Sequence, residues 1–161
     1  MAPIFKAGLL ILVVIVLAIV VVVLKNRPRE AYLPVDSLLT PAELKFYEVL
    51  KEAAGDYVLF AKVRVADVLN VDSKKAKGKY LKFFNRIARK HIDFLLCEEE
   101  TLRPVLAIEL DDRSHEKSER IERDIFLDKA FKMAGLPLIR IKVSGRYNRT
   151  EIERLIKDAT G

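Results

Sequence analysis

Two acids stand inside short apolar runs of this chain, where packing alone gives them no reason to be. Asp93 interrupts HIDFLLC, residues 91–97. Glu109 sits near the end of RPVLAIEL, residues 103–110, and Asp111 follows it directly. Both runs are rich in Ile, Leu, Val and Phe and too short for a typical helix. With the polar turn EEETL between them they read as two paired strands in a hairpin. Along a strand, residues i and i+2 point to one face, so Glu109 and Asp111 share a face, as do His91 and Asp93. Pairing the strands lets three carboxylates converge at one edge of a sheet. Burying an unpaired carboxylate is costly, so such a cluster needs a cation, a basic partner or water. A hard divalent metal with oxygen ligands is the sharpest chemistry it suggests. One cysteine and two histidines in the whole chain exclude a Cys/His metal site. A plainer structural reading stands beside this one. Asp93 can be a buried acid paired with Arg140, and Asp111 and Asp112 can be turn formers ahead of the next helix.

The surrounding elements must position those acids. Thr40-Pro41-Ala42-Glu43 combines a capping hydroxyl, a proline at the first helical position and a glutamate three residues after the cap, which predicts a helix from Thr40. Leu44, Tyr47, Leu50 and Ala54 form its expected apolar stripe, and Gly55 ends it. Glu43 is explained locally as half of a capping box. YVLFAKV, residues 57–63, reads as a strand carrying Lys62, which can point at the same sheet edge as the acids. Residues 64–71 are ambiguous, and the lysine-rich stretch 72–79 reads as a loop.

Residues 79–90, KYLKFFNRIARK, read as a two-faced helix. Lys79, Lys82, Arg86 and Arg89 recur on one side, with Leu81, Phe84 and Ala88 on the other. A basic face can lie along phosphates or can simply be solvated. After the hairpin, residues 115–134 are helical in composition, with Ile121, Ile125 and the 126–131 region as the buried side. Arg123 and Asp124 can pair locally there. PLIRIKV, residues 137–143, is a further strand, with Arg140 inside it. A last helix spans 150–159, with Thr150 and Glu153 as a second capping box. This order predicts an α/β fold, a mixed central sheet with helices on both faces.

Ahead of this domain, residues 7–24 read AGLLILVVIVLAIVVVVL, without a polar side chain. About 18 apolar residues approach the length needed to cross a bilayer's hydrocarbon core. A cleaved signal peptide has a shorter apolar region and a small-residue cleavage site. The expectation is an uncleaved transmembrane anchor over 4–24, a linker over 25–39 and a domain over 40–161. Lys25, Arg27 and Arg29 follow the span while Lys6 alone precedes it, so the positive-inside rule puts the domain in the cytoplasm. Without Lys6, the 29 basic residues become 28 against 23 acidic, a net +5, which permits contact with nucleic acid or anionic lipid. The lone Cys97 excludes an internal disulfide and reads as a buried thiol in a reducing compartment.

Taken together, Thr40-Pro41-Ala42-Glu43, Ile92-Asp93-Phe94, Glu109-Leu110-Asp111, His115, Arg123-Asp124 and Ala134-Gly135-Leu136-Pro137 leading to Ile139-Arg140 resemble the PD-(D/E)xK nuclease-like superfamily. The closer likeness is to the branch around the very-short-patch repair endonuclease, and it covers roughly residues 38–160. The resemblance implies a three-layer α/β/α restriction-endonuclease-like core. It also implies that Asp93 and Glu109 bind Mg²⁺ or Mn²⁺, and that Asp111, His115 and Glu43 belong to the catalytic set. Arg123, Asp124 and Arg140 match supporting positions. Asp111 stands where the superfamily's name calls for lysine, as an acid does in relatives of this branch.

The expectation is therefore a membrane-anchored, metal-dependent nuclease acting on nucleic acid, DNA foremost. Lys62, Lys79, Lys82, Arg86, Arg89 and Arg140 are its candidate phosphate contacts. Two alternatives remain open: a non-catalytic nucleic-acid-binding module on the same fold, and a membrane-tethered scaffold that binds protein.

Overall fold

The computed structural model describes residues 2–26, 32–111 and 118–161. It divides into two units, Met1–Asp36 and Ser37–Gly161. The first is built on α1, Ala2–Lys25. Within it Ala7–Lys25, with a mean hydropathy of 3.6, is long and apolar enough to cross a membrane.

The second unit is α/β. Its helices are α2 (Pro41–Ala53), the short α3 (Val65–Val68) and α4 (Ser73–Ala76), α5 (Tyr80–Ile87), α6 (Ser118–Ala134) and α7 (Arg149–Thr160). The strands are β1 (Val58–Arg64), β2 (His91–Cys97), β3 (Pro104–Asp111) and β4 (Leu138–Lys142), in sheet order β1-β2-β3-β4. The first two pairings are antiparallel and β3 pairs with β4 in parallel, so the open sheet is mixed. The parallel pair is joined through α6, as a parallel connection requires a crossover.

Helices cover both faces of the sheet. Phe94, Leu96, Leu106 and Ile108 pack with Phe46 and Leu50 of α2 and Ile152 and Ile156 of α7. Leu95, Cys97 and Ala107, the alternate residues, pack with Val65 of α3, Ile87 of α5 and Leu127 and Phe131 of α6. Period-2 alternation in β2 and β3 thus feeds two cores. Both hairpin strands and the buried, free Cys97 stand as the sequence predicts.

Several expectations are corrected. Of the stripe expected on α2, Leu50 and Ala54 are buried and Tyr47 packs against the core, but Leu44 is exposed, and Phe46 and Ala53 are buried instead, because the i, i+4, i+7 row through Phe46 faces the sheet. On α6, Leu127 and Phe131 of the 126–131 region are buried as expected, but Ile125 is exposed, and the side chain of Ile121 lies outside the described residues. On α5 only Ile87 is fully buried, and Leu81 is 70% exposed. The stretch expected as a loop contains α4, whose first turn is capped by the Asp72 carboxylate accepting from the Lys74 and Lys75 N–H groups. The cap of α7 is Asn148, whose side-chain oxygen accepts from the Thr150 and Glu151 N–H groups. Glu153 instead pairs with Arg149, one turn away.

Candidate active site

One end of the sheet gathers the chemistry. Antiparallel pairing sets the start of β2 beside the ends of β1 and β3, and the first turn of α2 lies over that end. Glu43, Lys62, Asp93, Glu109 and Arg123 accordingly line one open cleft of about 520 Å³, with Arg89, Lys90 and His91 at its border.

Glu43 reaches the cleft because α2 is anchored beside it. Phe46 is fully buried against Phe94 and Tyr147, with ring centroids 5.5 and 4.9 Å away, and residue 43 is its i−3 neighbour on the same helix face. The capping box is formed as predicted: Thr40 N–H donates to Glu43 Oε2 at 2.9 Å, and Thr40 Oγ1 accepts from Glu43 N–H at 3.3 Å. The second carboxylate oxygen, Oε1, accepts from Lys62 Nζ at 2.5 Å. Glu43 therefore has both roles, cap and site.

Lys62 is held between two acids, since its ammonium also donates to Asp93 Oδ1 at 3.1 Å. Its φ of 54° lies in the left-handed region, inside a strand. The register passes from Ala61–Phe94 to Val63–Ile92, with Lys62 and Asp93 at the step between these two regular pairs. Burial works against charge on Lys62, but its hydrogen bonds to Glu43 and Asp93 outweigh that and hold its pKa above the ordinary lysine value. Burial likewise opposes ionisation of Glu43, and the hydrogen bonds from Lys62 and Thr40 outweigh it, so this acid sits below the usual glutamate value.

Asp93 opens the hairpin. The β2–β3 ladder runs to Phe94–Ile108 and pairs no residues beyond it toward the cleft. There the Leu110 N–H donates to Asp93 Oδ2 at 2.9 Å, so a side chain takes a place in the ladder and the strands part around it.

Glu109 lies deepest, 6% exposed. Its Oε1 is buried without a hydrogen-bond partner among the described residues, and its Oε2 is 3.6 Å from Arg123 Nη2. Burial, reinforced by the negative charge of Asp93 and opposed by Arg123 and Arg140, pushes its pKa up to about 7. This acid can exchange a proton near neutrality or give up the proton to a cation.

A basic groove of about 340 Å³ continues from the cleft, sharing Arg89, Lys90 and Arg123 with it and adding Arg86. The Arg86 guanidinium lies 4.0 Å from the Phe126 ring centroid. Arg86, Arg89 and Lys90 form no ion pair among the described residues. Burial and the crowd of Arg123, Arg86 and Arg89 push the Lys90 pKa down.

The expected residues therefore divide. Glu43, Lys62, Asp93 and Glu109 come together, and Arg89 lies beside them. Asp111 ends β3 in register with Lys142 and is not among the cleft-lining residues. Arg140 pairs with Asp128 and donates to the Asp124 carbonyl at 3.4 Å, so it serves the α6–β4 junction rather than Asp93. Arg123 pairs with Asp124 as expected, at 3.5 Å, but also reaches Glu109. Lys79 and Lys82 lie outside cleft and groove, and His115 lies outside the described residues. Lys90 escaped the sequence reading, as it ends the helical period and has no motif of its own.

The elements that build this site fall inside the match to one family model, described as protein of unknown function (DUF2726), over residues 35–160. The chain belongs to that family. The DUF2726 match begins after α1, so it takes in α2 through α7 and every residue of the cleft. No curated protein matches the chain, and no solved structure does.

Proposed function

We propose that this DUF2726 chain is a membrane-anchored, metal-dependent nuclease that hydrolyses phosphodiester bonds of nucleic acid, with DNA the foremost substrate. The observation that carries the reading is Glu109: a buried carboxyl with an oxygen that has no hydrogen-bond partner among the described residues, beside Asp93, at the floor of a cleft that continues into a groove lined by Arg86, Arg89, Lys90 and Arg123. The fold reading goes with it. A mixed sheet with helices on both faces, and acids at one sheet end, supports a three-layer restriction-endonuclease-like core.

The donor set suits a hard cation in type. Among the described residues no cluster of three or more His, Cys, Asp or Glu side chains is arranged to hold a metal. Two carboxylates, Asp93 and Glu109, are nevertheless what Mg²⁺ commonly takes from a protein, the remaining positions going to water and substrate oxygens. A cation there would also satisfy the orphaned Glu109 oxygen. Bound, Mg²⁺ or Mn²⁺ would supply a more acidic water and stabilise charge on the phosphate.

The chain's own residues supply the rest. Lys62, pinned by Glu43 and Asp93, offers a fixed positive charge to the phosphate in a site that lacks a lysine at position 111. Arg123 and Arg89 flank the scissile phosphate, and Arg86 and Lys90 bind its neighbour along the groove. His115 follows β3 closely in sequence and is the candidate proton acceptor. The domain faces the cytoplasm, held by α1.

The test is cleavage of plasmid, linear DNA, single strands and RNA by the purified chain with Mg²⁺, Mn²⁺ or EDTA. The expected result is metal-dependent cleavage that Glu109→Ala and Asp93→Ala each reduce at least a hundredfold, on the order seen when a group central to the chemistry is removed. Salt-sensitive binding without cleavage, by well-folded protein under every condition, would instead favour the non-catalytic module.

A further inference from the structure

Residues 72–90 carry eight basic side chains and one acidic, a local charge of +7. The whole chain is +6, so the remainder is close to neutral. This charge lies on α4, α5, their connection and the turn from α5 to β2. Only part of it serves the cleft: Arg89 and Lys90 border it, and Arg86 turns to Phe126. Lys79 and Lys82 do not take part in either cavity.

The same element has apolar side chains that the fold leaves out. Of the apolar residues of α5, Ile87 is buried, yet Tyr80, Phe83 and Leu81 remain 39%, 41% and 70% exposed. Tyr80 stacks on Phe84, 6.0 Å between centroids, rather than entering the core. Phe83 and Tyr80 lie in the helical sector of the buried Ile87, at the edge of the core, whereas Leu81 stands beside Lys82 on the outward side, and an exposed leucine among lysines has the composition of an interfacial element.

The rest of the chain supplies the surface. Ala7–Lys25 is apolar enough to span a bilayer, and 15 residues separate Lys25 from Pro41. Such a connection reaches at most about 55 Å. A domain so tethered meets the adjacent bilayer at high effective concentration, so a weak contact suffices to hold it there.

We propose that α4 and α5 form a membrane-docking face, with Leu81 entering the headgroup region of an anionic bilayer and Lys74, Lys75, Lys79 and Lys82 pairing with its phosphates and carboxylates. Docking on this face orients the domain against the membrane that α1 anchors, and it does not depend on the nuclease reading.

The chain contains no tryptophan, so Leu81→Trp gives a single reporter. The full-length variant is reconstituted in nanodiscs with a tryptophan-free belt, of phosphatidylcholine alone or with phosphatidylserine added, each with or without brominated acyl chains. On anionic discs the emission is expected to shift to the blue and to be quenched by the brominated lipid. Added salt should reverse both effects, and neither should appear on neutral discs. Replacing Lys74, Lys75, Lys79 and Lys82 by Glu in the same reporter should abolish the shift, with an unchanged far-ultraviolet circular dichroism spectrum excluding misfolding. Emission that stays solvent-like on anionic discs, or that shifts equally on neutral ones, overturns the proposal. So does a shift that appears only with duplex DNA, which gives the face to nucleic acid, or only at high protein concentration, which gives it to a second copy.

Discussion

At the scale of single residues, Glu109 carries the largest consequence. A carboxyl with a pKa of about 7 in the fold and 4.5 as a free side chain favours its protonated form on folding. Its contribution is fully present below pH 4.5 and is lost as pH rises toward 7. The difference of about 2.5 pH units corresponds to roughly 3 kcal/mol, an order of magnitude set by 1.36 kcal/mol per unit. Glu109→Gln keeps the shape and removes the titration. It is expected to raise the midpoint of thermal unfolding at pH 8 relative to the parent chain, with little difference at pH 4.5. Parallel curves for the two proteins across that range would refute the buried-acid account. Glu43 works in the opposite sense: its lowered pKa contributes stability above pH 4.5 that is lost as pH falls further. The contrast between the two proteins, rather than either curve alone, therefore isolates Glu109. If a divalent cation enters beside Glu109, it must displace that proton. Calorimetric titration of Mn²⁺ near pH 6 should then register proton release that is absent in Glu109→Gln.

At the scale of elements, the site depends on two departures from regular sheet geometry. Asp93 takes the Leu110 N–H and parts β2 from β3. Lys62 turns through a left-handed backbone to set its ammonium between Glu43 and Asp93. That conformation costs a residue with a Cβ about 1–2 kcal/mol, while glycine adopts it freely. Both Lys62→Ala and Lys62→Gly remove the ammonium and leave two acids facing one another, so both should destabilise the domain. Lys62→Gly should be the less harmful of the two by about 1 kcal/mol in urea unfolding, against the usual order for a strand residue. Equal losses, or a greater loss for glycine, would count against strain at this position. The first turn of α2 is coupled to the same cluster through the two oxygens of Glu43, so helix capping and site assembly share one side chain.

At the scale of the whole molecule, the chain separates into an apolar helix and a domain that owns both of its cores. Every residue of the two hydrophobic clusters lies between Leu39 and Ala159. Deleting the first 36 residues should thus leave a cooperatively folding protein, read by thermal unfolding and a full set of protected core amides. The intact chain should remain in the membrane pellet after alkaline extraction at its full mass, while the truncated chain should be released. A mature protein shortened at its amino terminus would identify the helix as a cleaved signal instead.

The amino-acid sequence by itself determined what is encoded locally. The Thr40–Glu43 capping box, the alternation in residues 91–97 and 104–111, and the unbroken apolar run of 7–24 each follow from neighbours in the chain. With them came the α/β element order and the suspicion attached to Asp93 and Glu109, acids set where apolar residues belong. The stripes were harder to read. Leu44 and Phe46, Ile125 and Leu127, and Leu81 and Ile87 offer competing helical rows, and which one turns inward is decided by the sheet it meets. Lys62 was legible as a basic residue at the right sheet end, but its clamp between Glu43 and Asp93 was not, because it joins residues 43, 62 and 93 through three different elements. Pairing geometry also diverted Arg140 to Asp128 and left Asp111 out of the cleft. Periodicity and capping act over a few residues and survive in the sequence. Ion pairing, burial of Glu109 and the opening between β2 and β3 arise only when distant segments compete for the same space, and that competition is settled by the tertiary structure.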